Sequence, residues 1–262
     1  MVILSLVFYC TPGLSQSYEG PMSIEDRLKH PSSTAVEMND SAVLSLLEKT
    51  SPSKPLDLSG KKLYRLALPG VDLKKSSFRS ARLNHSNFSG ADLSGADLGG
   101  AEMLESDLSG ANLQGANLFM TQLLNSNLEN ADLTGARAAA NFNGANMRGA
   151  ILIDADASAD MGNQSMGLQR GTFQKTDLEG ADLSRAKLSR VDMRYSNLRK
   201  ANLKGADLTR ADLRGADFSG ANLTNANLTE ANIEHTDFTG MTGLDTVVGL
   251  DTAKGLRFAV FD

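Results

Sequence analysis

Residues 91–119 read ADLSG-ADLGG-AEMLE-SDLSG-ANLQG-ANLF, and residues 201–240 read ANLKG-ADLTR-ADLRG-ADFSG-ANLTN-ANLTE-ANIEH-TDFTG. Both stretches repeat every five residues as Ala-[Asp/Asn]-Leu followed by two variable positions. On an α-helix, five residues advance by about 500°, so successive leucines would spiral around every face. On a straight strand, an odd period sends successive leucines to opposite faces. One apolar side therefore requires the chain to bend after each unit.

Within one unit the Ala and the Leu are two residues apart, so both side chains can point inward while the Asp or Asn between them points outward. The two residues after Leu are often Gly, Asn, Ser or Thr, which favour turns. A chain that bends once per unit closes into coils. Stacked coils then pair their backbones about 4.8 Å apart.

More than a dozen units between Leu58 and Phe238 match Ala-[Asp/Asn]-[Leu/Phe/Met/Ile], and on these units the chain resembles the pentapeptide-repeat family. The resemblance implies an all-β solenoid, namely a right-handed quadrilateral parallel β-helix with four pentapeptides per coil. We expect about 9 coils, a rod of roughly 43 Å at the spacing of paired strands.

The composition agrees with a narrow core. The chain has 262 residues, a net charge of −5, 5% aromatic residues, no Trp and one Cys. It therefore excludes a thick core rich in large aromatics, a disulfide scaffold and a cysteine metal cluster. No apolar run reaches the ~20 residues that span a bilayer. A coil that holds one Leu-sized residue per side has no room for Trp and needs Ala.

The N-terminal region divides into two predicted segments. Residues 1–17 pair an apolar run with Ser15-Gln16-Ser17, which is typical of a signal peptide, although no Lys or Arg precedes the run. The alternative is a cytoplasmic chain that starts at Met22. Residues 18–55 are predicted to form a linker and an N-terminal helical cap, whose helix begins near Asn39 and runs to about Lys49. Caps are expected because a solenoid exposes its core at each end.

Residues 56–240 are predicted to form the β-helix, and residues 241–262 a C-terminal cap or dimer contact. The step between core positions is one residue short from Ala138 to Phe142. Residues 157–167, ASADMGNQSMG, lack repeat features and are predicted to form an irregular loop. Loops on a rigid scaffold often carry binding sites. A tolerated insertion is the alternative.

Charge is banded along the repeat. Residues 61–82 carry a net charge of +6, residues 83–136 carry −7, and residues 185–214 carry +6. If one coil takes 20 residues, five arginines form two columns near one edge, and Glu230 and Glu234 continue these columns with the opposite charge. The hypothesis is a surface for a protein or anionic partner, and the alternative is a solvated face. The five are Arg170, Arg190 and Arg210 in one column and Arg194 and Arg214 in the other.

The sequence carries no pattern typical of catalysis. His30, His85 and His235 are far apart in sequence, so we expect no metal site. A phosphate-binding loop and a nucleophile elbow are absent from the sequence. Paired acidic residues follow from the repeat and are expected to form a solvated face. We therefore expect no enzyme, no catalytic residue and no cofactor.

The preferred function is a non-catalytic scaffold or protein-interaction protein with an unknown protein partner. Its resemblance to exported members of the family implies residence in the thylakoid lumen or periplasm. We expect no nucleic acid partner and no transmembrane segment after signal cleavage, and a homodimer through the C-terminal end is an option. The alternative is a DNA-mimicking inhibitor or modulator of type II topoisomerase (gyrase), which the family also contains. Here the acidic band is short, and basic bands flank it.

Overall fold

The computed structural model describes residues 36–51, 53–162 and 169–262. The predicted signal segment at residues 1–17, His30 and residues 163–167 of the predicted loop lie outside these ranges. In the described chain, α1 spans Asp40–Leu47, and two 3₁₀ helices span Leu250–Thr252 and Leu256–Phe258. The rest of the described backbone pairs mainly through isolated parallel bridges, each one residue long, instead of extended strands.

The bridges fall into four ladders that run along the repeat. Ladder 1 begins at Asp57, ladder 2 at Lys62, ladder 3 at Ala67 and ladder 4 at Asp72. Over most of the chain, consecutive residues of a ladder are 20 apart in sequence. Each coil therefore contributes one residue to each of the four ladders, and the chain forms a β-helix solenoid.

The residues on either side of each bridge fill the core. Ala91 and Leu93, which flank the bridge residue Asp92, are both fully buried. The Leu93 amide donates to Asn112 O at 2.7 Å, and the Asn112 amide donates to Ala91 O at 2.9 Å. Polar residues at the Ala position keep a hydrogen bond: buried Thr121 donates its hydroxyl to a core carbonyl 2.7 Å away. The core is thus filled by side chains along its length.

Each corner is a tight turn with a left-handed residue. The Ala96 amide donates to Leu93 O at 3.0 Å, and Gly95 has φ 65°. Glycine adopts this conformation freely, whereas other residues pay about 1–2 kcal/mol. Eighteen described non-glycine residues nevertheless have positive φ, among them Arg190 at 62° and Lys200 at 57°. Many corners therefore carry a large side chain on strained backbone.

Before the last coil the repeat register changes twice, and all four ladders take both changes. Gln122 pairs with Asn141, a step of 19 residues, which agrees with the short spacing in the sequence. Asn141 then pairs with Thr172, a step of 31 residues. The longer step admits eleven extra residues at one corner while the bridges on both sides continue.

The core is continuous across this insertion. Ala157 is buried, and its carbonyl accepts from the Gly171 amide at 2.8 Å, so the excursion begins one residue later than the loop predicted at residues 157–167. The Phe142 and Phe173 rings stack with centroids 4.9 Å apart. The insertion is therefore a corner excursion that leaves the packing intact.

Helix α1 covers the first coil. Asn39 caps it by accepting from the Ala42 amide at 3.0 Å, and Val43 is fully buried. The Asp40 carboxylate accepts from the Ala67 amide at 2.8 Å. These contacts satisfy a backbone donor at the open end of a ladder and cover core side chains.

The last coil has a different repeat length. Residues 243–260 read GLDTVV-GLDTAK-GLRFAV, three units of six residues, and their bridges step by 21, 22 and 23 residues. Gly249 has φ 75°, and a Cβ there would lie 2.6 Å from the Thr229 Cα. The last coil therefore lies too close to the preceding backbone for a side chain at this position. None of the described helices is both long enough and apolar enough to cross a membrane.

Candidate partner-binding face

The five arginines predicted as a binding surface flank ladder 2. Arg190 and Arg210 lie two residues before the bridge residues Asp192 and Asp212, and Arg194 lies two residues after Asp192. Arg170 lies two residues before the bridge residue Thr172, and Arg214 lies two residues after Asp212. The structure thus brings all five to one side of the solenoid. We call ladder 2 from Thr172 to Lys254, with its flanking columns, the arginine face.

Asp192 is the central carboxylate of this face. Its side chain is only 3% exposed and accepts two hydrogen bonds from Arg194, at 2.9 and 2.8 Å. Gln174 donates to it at 2.8 Å, and Arg170 lies 3.4 Å away. Burial acts to raise the pKa of Asp192, but these hydrogen bonds outweigh it and hold the pKa below the ordinary value. Asp192 is therefore ionised and fixes two arginines.

The carboxylates of Asp212 and Glu230 hold two more of the five arginines. Arg214 donates to Asp212 at 2.8 and 2.7 Å, and Arg210 donates to Glu230 at 2.7 and 3.1 Å. The Arg210 hydrogen bonds lower the pKa of Glu230. Paired hydrogen bonds of this kind fix the orientation of a guanidinium as well as its charge.

The predicted columns of arginines are largely neutralised within the face, and whether the face binds a partner stays a prediction. Four of the five arginines, all except Arg190, are ion-paired to carboxylates of the same face. The sequence does carry a signal for two of these pairs. Asp192-Met-Arg194 and Asp212-Leu-Arg214 place a cation two residues after the ladder aspartate, where the Asp side chain already accepts from the backbone amide.

Arg190 and Lys254 differ from these arginines. Within the described part of the chain, neither side chain makes an ion pair within 4.0 Å. Both line an open groove of about 410 Å³, together with Arg210 and Glu230. The groove is shallow and polar, so it suits a surface contact more than an enclosed small molecule.

A second groove of about 470 Å³ continues from the first at the C-terminal end. The two grooves share Asn232 and Lys254. The second is lined by the 3₁₀ helix at its apolar residues Leu256 and Phe258, which are 38% and 41% exposed. The Arg257 guanidinium lies 4.5 Å from the centre of the Phe258 ring. Leu256 and Phe258 are therefore exposed to solvent beside the cations Lys254 and Arg257.

The acidic band at residues 83–136 is interleaved with the basic band before it. Lys74 lies 3.2 Å from Asp92, and Arg79 lies 3.3 Å from Asp97. The bands lie on adjacent coils, so their charges meet across the ladders. The acidic band is therefore partly neutralised at its edge and is not a continuous anionic surface.

Outward Asp and Asn residues that lie 20 apart in sequence form hydrogen bonds between adjacent coils. Asn112 donates its amide to Asp92 at 3.2 Å, and Asn197 donates to Asp177 at 2.8 Å. Among the described residues, His85 contacts Glu105 at 3.4 Å, and no group of three potential metal ligands comes together. The acidic columns are thus structural ladders.

The chain matches a family model described as pentapeptide repeats in 8 copies, within residues 62–95, 86–119, 138–158, 172–205 and 206–240. These ranges cover more than half of the chain. No curated protein sequence matches it.

Several solved structures are similar. HetL, a pentapeptide repeat protein involved in heterocyst differentiation regulation in the cyanobacterium Nostoc sp. strain PCC 7120, is 32% identical. The match covers 86% of this chain and 98% of HetL, with a TM-score of 0.55. QnrB1, a plasmid-mediated fluoroquinolone resistance protein, is 22% identical over 77% of this chain and 93% of its own, with a TM-score of 0.53. The QnrB1 likeness concerns the fold alone.

Proposed function

The chain belongs to the pentapeptide-repeat family, and from this premise we propose that it is a non-catalytic scaffold that binds a protein partner through the arginine face. The core is filled by side chains, and the two grooves of the arginine face are open and shallow. A regulatory relative, HetL, is 32% identical, which supports a role in interaction over one in catalysis.

The proposal rests on one observation: the cations Arg190 and Lys254 lie next to arginines whose side chains are held by ion pairs. Arg170 donates to the Arg190 carbonyl at 2.9 Å, and Arg210 is held by Glu230. The neighbours of Arg190 are thus ordered before any partner arrives. A preordered surface loses less side-chain entropy on binding, and opposite charge accelerates encounter with an acidic partner.

Affinity capture from the source cells with the full chain tests this proposal. We expect the double variant Arg190→Glu, Arg210→Glu to lose its partner, because it replaces two cations of the groove by anions. Lys200→Glu is the matched control, since Lys200 also sits at a corner with positive φ but lies outside the arginine face. Partners retained in full by the double variant would contradict binding through this face.

We also propose that the protein is exported to the thylakoid lumen or periplasm. The support is the residue pattern of Met1–Ser17, which lies outside the described residues. Cell fractionation with N-terminal sequencing tests it: a mature protein that begins near Tyr18 is expected. A cytosolic protein that begins at Met22 would contradict export.

A homodimer through the C-terminal end is a further proposal. Leu244, Val248 and Val260 are each more than half exposed on the last coil, and in the described structure the amides of Gly249 and Gly255 have no hydrogen-bond acceptor. Exposed apolar residues beside unpaired backbone groups are typical of an association surface. Light scattering is expected to give twice the monomer mass, and Val248→Glu is expected to halve it.

The fine geometry of the solenoid is likewise a proposal: a right-handed coil with a quadrilateral cross-section. The support is the four ladders, the family membership and the strong preference of parallel crossover connections for the right hand. An experimental structure tests it directly. A gyrase supercoiling assay with purified protein separates the scaffold from DNA mimicry, and we expect no inhibition because the acidic band is partly neutralised.

A further inference from the structure

We propose that the two joined grooves of the arginine face bind an extended peptide segment that carries two acidic residues followed by an apolar residue. This inference rests on the proposed function and adds the chemistry of the partner. The grooves form one track because they share Asn232 and Lys254. The track runs from Arg190 past Lys254 to Phe258.

The charges on the track favour an acidic peptide. Arg190 and Lys254 are the two lining cations of the first groove without an ion pair among the described residues. Glu230 and Asp212 in the same groove are already paired with arginines. A partner carboxylate can therefore meet an available cation without displacing an existing pair, and such charge-assisted contacts are strong.

The apolar end of the track supplies an anchor. Leu256 and Phe258 are exposed on the last 3₁₀ helix, with Arg257 over the Phe258 ring. The centre of the His235 ring lies 5.5 Å from the centre of the Phe258 ring. Aromatic and arginine side chains are enriched at the energetic centres of protein interfaces. An apolar partner side chain is expected to pack here.

The spacing of the motif follows from the ladder. Arg190 lies beside Asp192, and Lys254 lies three ladder steps further along, or about 14 Å at the separation of paired strands. An extended peptide rises about 3.3 Å per residue, so the two acidic residues should be about four residues apart. The apolar residue should follow the second acid within about three residues, because Lys254 also lines the second groove.

A nucleic acid is the less suitable partner. Three carboxylates lie along the track, those of Asp212, Glu230 and Glu234. A uniformly charged phosphate backbone would pass close to all three. A peptide can place neutral residues opposite them.

Selection of displayed random 12-residue peptides against the full chain tests the inference. We expect enrichment of the acid, acid, apolar order with the spacing above. Binding of an enriched peptide should fall at least 10-fold in Arg190→Glu and several-fold in Leu256→Ser. The matched controls are Lys200→Glu, a corner cation with the same sign of φ, and Met161→Ser, an exposed apolar residue that lines neither groove. Both controls should stay within two-fold.

Three results would overturn the inference: no enriched peptide, enriched peptides without acidic residues, or equal loss in variants and controls. Equal competition by a 20-nucleotide single-stranded DNA would also overturn it in favour of a general polyanion site. The proposed function can hold even when the peptide inference is wrong. If affinity capture still depends on Arg190 and Arg210 while no peptide is enriched, the scaffold binds a folded surface and only the peptide inference is wrong.

Discussion

Replacing Gly249 by alanine tests whether the last coil is held against the solenoid by close backbone contact. A Cβ at Gly249 would lie 2.2 Å from the Thr229 hydroxyl and 2.6 Å from its Cα. The hydroxyl can rotate away, but the backbone cannot. Gly249 also has φ 75°, so alanine is disfavoured there on two grounds.

The expected cost is the sum of both effects. The left-handed backbone costs alanine about 1–2 kcal/mol, and the overlap adds about 1–3 kcal/mol, as for overpacked cores. Gly110→Ala is the matched control. Gly110 has φ 61°, and a Cβ there meets nothing within 4 Å. The control should therefore lose only about 1–2 kcal/mol.

The assay combines chemical denaturation with amide hydrogen exchange. Solenoid stability is close to a sum over neighbouring coils, so the last coil should open first in Gly249→Ala. We expect rapid exchange at the Val248 amide, which donates to Ala226 O at 2.9 Å, with protection kept in the central coils. Equal destabilisation of both variants, with Val248 still protected, would refute the reasoning.

Two further predictions concern polar contacts. Thr121→Val should cost about 1–2 kcal/mol in a denaturant titration, because it removes the hydroxyl donor to Leu98 O at an almost unchanged volume; no loss would show that the hydrogen bond is dispensable. Asp192→Asn should cost about 1–3 kcal/mol at neutral pH, since it weakens the hydrogen bonds from Arg194 and Gln174. The folded-state pKa of Asp192 is depressed below 3.8, so its contribution is present above that pH and is lost as the pH falls through the folded-state pKa. Stability of the variant should therefore vary less with pH in this window, and identical pH profiles would contradict the assignment.

Much of the fold was predictable because one constraint repeats. A period of five with inward residues two apart allows few backbone paths, so a coil that bends after each unit and points its Asp and Asn residues outward follows from it. The 20-residue step came from the resemblance to the pentapeptide-repeat family. The short step before Asn141 was also visible in the spacing of core residues. The last coil, which is built from six-residue units, was harder to predict from the sequence. A longer turn changes the residues at the surface corner and makes the spacing of apolar residues irregular.

In the arginine face, the net charge summed along the sequence does not describe the charge on the surface. The band at residues 185–214 sums to +6 in sequence, yet Arg210 is paired with Glu230, which lies outside that band. Charge on a solenoid is shared between coils, so a sum along the chain mixes residues from four sides. The sequence located the five arginines on common columns. Which of them keep an unpaired side chain depends on side-chain geometry: among the residues that the structure describes, Arg190 is the one of the five that makes no ion pair within 4.0 Å.

The eleven-residue insertion bears on how the chain folds. Each parallel bridge joins residues only 19 to 31 apart in sequence, and the 31-residue steps all span the insertion. Closing a loop of 31 instead of 20 residues costs only about 0.4 kcal/mol more in chain entropy. Local contacts of this kind allow nucleation in any coil. The insertion therefore adds little to the cost of extending the solenoid from the coils before it to the coils after it.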